Sequence, residues 1–100
     1  MKFKEGIKLQ GLREELTYIF PIIDKVHMDL AGREAIITSA LDGKHGQHSF
    51  HYQGLALDLR TRDLTPYIAE KITEELQREL GNDYDVLLEH DHIHLEYDKK

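Results

Sequence analysis

The sequence predicts an α+β domain, a mainly antiparallel sheet with two helices on one face. Three observations carry that expectation. Apolar residues recur at helical spacing in two segments, Leu12 to Leu30 and Ile68 to Leu80. A segment between them, LALDLRT, alternates apolar and polar residues with the period of a half-buried strand. The C-terminal stretch YDVLLEHDHIHLEYD reads as two short strands around a turn near His90 and Asp91.

The first helical segment, LREELTYIFPIIDKVHMDLAG, sets Leu12, Leu16, Ile19 or Phe20, Ile23, Val26 and Leu30 along one stripe. It predicts a helix from about Gly11 to Ala31, with Gly32 as its stop. Pro21 lacks a backbone donor and clashes with the preceding turn, so a kink or a break into two shorter helices is expected there. EAIITSAL has β-branched residues at Ile36, Ile37 and Thr38 and suits a strand. DGKHGQHS follows as a loop punctuated by Gly43 and Gly46. In LALDLRT, Leu55, Leu57 and Leu59 point to one face and Asp58 to the other. Thr65 and Pro66 form a cap and first-turn pair, and Ile68, Ile72, Leu76 and Leu80 line a second helix ending at Gly81. The sheet face away from the helices is left to carry a site.

Composition narrows the function. One hundred residues make a single domain, 1–100, and 40% hydrophobic with 32% charged residues is a globular balance. No stretch nears the roughly 20 apolar residues of a membrane span, and MKFKEGIKLQ lacks the apolar run of a secretory signal, so a soluble, cytoplasmic protein without membrane insertion is expected. With no cysteine, disulfides and thiolate metal sites are excluded, and any metal must use His, Asp or Glu. The net charge of -6 argues against nucleic acid as a partner. Nothing in the sequence specifies an oligomeric state.

The histidines are clustered. His45, His48 and His51 fall in one window and His90, His92 and His94 in another, while His27 stands apart in the first helix and is read as structural. In HIH, His92 and His94 share a face if the segment is extended. Asp58 on its strand's polar face would add an oxygen ligand, and a shared metal accounts for the pattern economically. Against that stands the plainer alternative, in which any one clustered histidine taken singly reads as a solvated loop residue and Gly54 as a bulge or a close-approach glycine.

Ser49, His51, Gly54, Ala56 and Asp58 reproduce S-x-H-x-x-G-x-A-x-D, and Asp91 and His94 in DHIHLE fit a later D-x-x-H. These motifs resemble the zinc D-Ala-D-Ala carboxypeptidases and L-alanyl-D-glutamate endopeptidases that cut bacterial peptidoglycan, a group sharing its fold with the hedgehog signalling domain. The resemblance runs from about Ile36 to Tyr97. It implies zinc held by His51, Asp58 and His94, Asp91 as general base on a zinc-activated water, and peptidoglycan stem peptides as substrate. Three protein ligands with an open position is a catalytic rather than a structural layout. Ser49 is expected in the substrate pocket, and His92 is expected to orient the scissile carbonyl or steady the oxyanion. Many relatives carry a tyrosine-arginine pair after the strand preceding the first zinc histidine. Here the sequence is SALDGKHG, where Lys44 or His45 would substitute and Arg60 is a more distant candidate. The short chain without a wall-binding repeat looks like a phage or prophage lysis enzyme, an endolysin released to the cell wall on lysis.

The alternative in a different class is a non-catalytic hedgehog-like zinc-binding module, against which the acid at Asp91 speaks. A non-haem iron oxygenase is disfavoured, since its usual first pair is a closely spaced H-x-D whereas six residues separate His51 from Asp58. EHDHIH also offers a second acid in the same register, Glu89 three residues before His92. The turn position of Asp91, and the LE following His94 in the D-x-x-H-x-E arrangement of the endopeptidase relatives, favour Asp91 with His94.

Overall fold

The structure is a computed structural model in which residues 1–42 and 50–100 are described. Five strands and three helices follow one another as β1 (Lys2–Phe3), α1 (Glu14–Thr17), α2 (Phe20–Ala31), β2 (Ile36–Ser39), β3 (Ala56–Arg60), α3 (Pro66–Leu80), β4 (Tyr84–Leu88) and β5 (His92–Tyr97). The strands form one sheet in the order β1-β2-β3-β5-β4. The α+β class is as the sequence predicts, but the sheet is mixed rather than mainly antiparallel. β1 pairs parallel with β2, and the other pairings are antiparallel. The connectivity permits it: the chain leaves β1, runs through α1 and α2 and returns beside it, and a parallel pair needs a crossover of that length. At two residues, β1 has no alternation to read.

The long apolar stripe does break at Pro21. Its first part is the single turn α1, starting at Glu14 rather than Gly11, and its second is α2, with Pro21 in the first turn, where a missing donor costs nothing. At the other end Gly32 closes α2 in the left-handed conformation. Thr65 caps α3, its hydroxyl accepting from the Ile68 N–H at 3.2 Å.

Leu16, Ile23 and Val26 from the N-terminal helices, Ile19 from the break between them, and Ile72 and Leu76 from α3 bury against Ile37, Leu57, Leu59, Val86, Ile93 and Leu95 of the sheet. Because strand side chains alternate, this core fixes the opposite face. That face carries Asp58 and Arg60 of β3 opposite His94 and His92 of β5, as register partners. His27 is fully buried in α2, its Nδ1 donating to the Ile23 carbonyl at 2.9 Å, with burial lowering its pKa. No helix among the described residues is long and apolar enough to cross a membrane.

Candidate metal centre

Asp58 lies between Leu57 and Leu59, both fully buried in the core, so alternation places its carboxylate on the open face. Across the β3–β5 ladder it meets His94. β2 carries an irregularity beside this point, with Ile37 opposite Leu59 but Ser39 opposite Asp58. Such bulges re-aim side chains next to sites. His51 arrives from a turn that leads into β3. The Gly54 N–H bonds the His51 carbonyl at 3.0 Å, the Leu55 N–H bonds Phe50 at 2.9 Å, and the Gly54 carbonyl accepts from Arg13 at 2.9 Å. Gly54 has φ +73°, and a Cβ there would lie 2.2 Å from the Gly11 carbonyl oxygen. Only glycine allows the N-terminal segment to lie against this turn.

The imidazoles are oriented from behind. His51 Nδ1 is 2.7 Å from the Ala40 carbonyl, which can only accept, so Nδ1 carries a proton and Nε2 faces Asp58 Oδ1 at 3.1 Å. His94 Nε2 donates to Glu96 Oε1 at 2.7 Å, and its Nδ1 faces the same Asp58 oxygen at 3.2 Å. In neutral rings the two facing nitrogens are lone pairs directed at a carboxylate. Three acceptors converging on one point require a cation among them, a proton or a metal ion. The donor atoms of His51, Asp58 and His94 all lie within 4.8 Å of one another. Two imidazoles and a carboxylate are the donor set of a borderline divalent ion, and Ala40 and Glu96 hold the far ring nitrogens as partners of metal-bound histidines do. The residues fit a divalent metal.

The electrostatics agree. Burial pushes the Asp58 carboxyl up, but hydrogen bonds from His51 and His94 outweigh it and hold the group well below the usual carboxylate range. The hydrogen bond to Asp58 raises the His94 pKa, burial opposes it and Glu96 adds to it. A proton on His94 is thus what a metal would displace.

His92 sits beside this cluster, its Nε2 3.6 Å from Asp58 Oδ1 and its Nδ1 2.7 Å from Asp91 Oδ1. Asp91 is exposed at the tip of the β4–β5 hairpin, and the hydrogen bond from His92 lowers its pKa. A cleft of about 250 Å³ opens next to the pair, lined by Lys4, Thr38, Arg60, Arg62, Asp91 and His92. A second cleft, about 330 Å³, continues past Arg62 and Asp91 toward Leu64, Leu88, Glu89 and His90. Asp91 thus borders both clefts, and Glu89 lines only the second.

The structure therefore brings together His51, Asp58 and His94, with His92 and Asp91 alongside. His90 is at the exposed hairpin tip. Ser49 and Lys44, with His45 and His48, lie outside the described residues. Beyond its place in D-x-x-H-x-E, sequence reasoning gives Glu96 no role, yet it holds His94. Its signal was available, since Glu96 is two residues from His94 and in an extended strand shares its face.

Compared with known proteins, the chain matches no family model, and no curated protein sequence matches it.

Proposed function

We propose that the chain is a zinc-dependent peptidase that hydrolyses peptidoglycan stem peptides, as a D-Ala-D-Ala carboxypeptidase or an endolysin-type endopeptidase. The observation that carries the reading is the convergence of His51 Nε2, Asp58 Oδ1 and His94 Nδ1, with the Asp91–His92 pair beside them. The resemblance of the S-x-H-x-x-G-x-A-x-D and D-x-x-H motifs to those of zinc peptidases supports it separately.

Zinc bound there would acidify a water and polarise the scissile carbonyl. The protein does the rest. Asp58 supplies the negative charge of the ligand set, while Ala40 and Glu96 fix the two imidazoles so that the correct nitrogen of each faces inward. Proton handling falls to the Asp91–His92 pair. Asp91, the general base that the resemblance implies, holds the His92 ring at Nδ1, and His92 Nε2 faces the cluster, where it can orient the scissile carbonyl while Asp91 takes the water's proton and passes it to the leaving amine. The hydrogen bond from His92 lowers the pKa of Asp91 and so keeps that carboxylate ionised, the form a general base requires.

The test is to incubate zinc-loaded protein with purified peptidoglycan and defined stem peptides and to identify products by mass spectrometry. Release of single D-Ala means carboxypeptidase, and new amino termini within the stem mean endopeptidase. Asp91→Ala should retain zinc and lose about 100-fold or more in turnover, whereas Glu89→Ala should keep most activity. Stoichiometric zinc with no hydrolysis of any stem peptide would reject the peptidase and leave a binding module.

A further inference from the structure

From the cleft beside His92 we infer that Lys4, Arg60 and Arg62 form an anion subsite selecting substrates with a carboxylate next to the scissile bond. The inference rests on the peptidase reading for what is cut, and on the cleft alone for what is bound.

Three cationic side chains line a space of about 250 Å³ with Thr38, and the carboxylate there, Asp91, is engaged by His92. Acids outnumber bases in this chain, 19 to 13. Elsewhere the arginines find partners: Arg13 pairs with Glu15, Arg33 with Asp63 and Arg78 with Glu75. Among the described residues, Arg60 and Arg62 have no ion pair, and neither has Lys4. In so acidic a protein, three cations that line one cleft without an ion pair of their own are placed for an external anion. Their position is set by the sheet. Arg60 is the register partner of His92 on the open face, one β3 step from Asp58, and Lys4 follows β1, its backbone N–H bonding the Ile37 carbonyl at 2.9 Å. The same cleft takes in His92, whose Nε2 is 3.6 Å from Asp58 Oδ1, so an anion held there lies beside the metal cluster. Arginine forks match a planar carboxylate bidentately, and the lysine adds charge.

Two kinds of carboxylate share this chemistry, a chain-terminal one and one carried within the stem, as on a γ-linked glutamate. Binding is measured first by NMR titration, with and without zinc, using N-acetyl-D-alanine and its carboxamide. The acid should bind at least about 10-fold more tightly than the amide in both metal states, with shifts centred on Arg60, Arg62 and His92, and Arg60→Gln with Arg62→Gln should remove the difference. Lys4→Gln, at an exposed site, should weaken the acid alone, and added salt should erode the preference. Equal binding of acid and amide, or a preference untouched by these variants, or one that needs zinc and centres on His51 and His94, would overturn the subsite. Hydrolysis of stem peptides as free acid against C-terminal amide, and with γ-linked glutamate against isoglutamine, then assigns the carboxylate to the chain end or to the stem. Acid selectivity without hydrolysis would sink the peptidase reading and keep the subsite; hydrolysis indifferent to both amidations would do the reverse.

Discussion

Glu96→Ala removes the group that holds His94 without touching any of the three metal-facing atoms. The carboxylate accepts from His94 Nε2 at 2.7 Å, and both side chains are largely shielded, at 17% and 21% exposure. Two effects follow from its loss. The proton of a neutral His94 is no longer confined to Nε2, so part of the population presents a protonated Nδ1 to the metal. The ring also loses the anion that makes it a stronger donor. Outer partners of this kind are worth about 10- to 100-fold in metal affinity, or about 1.4–2.7 kcal/mol. Glu96→Gln keeps an acceptor oxygen but not the charge, and should fall between wild type and alanine. The assay is competitive zinc titration against a chromophoric chelator at pH 7.5, with His94→Ala as the reference for a lost ligand. Wild-type affinity in Glu96→Ala would refute the orienting role, and with it the assignment of Nδ1 as the metal-facing nitrogen.

Other outcomes follow from the same geometry. Gly54→Ala should destabilise the protein by roughly 2–4 kcal/mol in chemical denaturation, since the new methyl combines a left-handed φ with an approach to 2.2 Å of the Gly11 carbonyl oxygen; a neutral substitution would mean that the N-terminal segment does not pack on this turn. Thr65→Ala should cost about 1 kcal/mol through loss of the α3 cap, and Thr65→Ser should restore it. Chelation should lower the melting temperature, because a metal that binds only the native state stabilises it by mass action; equal melting with verified zinc removal contradicts the site. In the chelated protein, the raised pKa of His94 gives stability that is complete below its ordinary value near 6.5 and is lost as pH rises through the folded value. The lowered pKa of Asp58 gives stability present above about 3.9 and lost as pH falls toward its folded value. Stability of the chelated protein should therefore peak between those limits, whereas zinc affinity should rise with pH until His94 is deprotonated. A chelated protein that gained stability from pH 6.5 to 9 would contradict the pairing of His94 with Asp58.

The elements that sequence made legible are those whose physics is local. The alternation of Leu57, Asp58 and Leu59 determined both the core face of β3 and the exposure of the candidate ligand on the other face. The stripe from Ile68 to Leu80 between Thr65 and Gly81 determined α3, and Pro21 determined the break before α2. The resemblance of the S-x-H-x-x-G-x-A-x-D and D-x-x-H motifs to the zinc peptidases implied His51, Asp58 and His94 as one group, and their donor atoms lie within 4.8 Å of one another in the fold. What tertiary structure decided depends on pairing between distant segments. A two-residue β1 acquires its direction from the crossover that returns beside it, and that pairing carries Lys4 to the cleft shared with Arg60 and Arg62. Likewise the far nitrogens of His51 and His94 are assigned by Ala40 and Glu96, and the hydrogen bond to His92 fixes Asp91 against that ring. Sequence specifies which side chains share a face, because strand geometry repeats every two residues; the nitrogen that faces the metal is set by hydrogen bonds, and those exist only once the strands are in register.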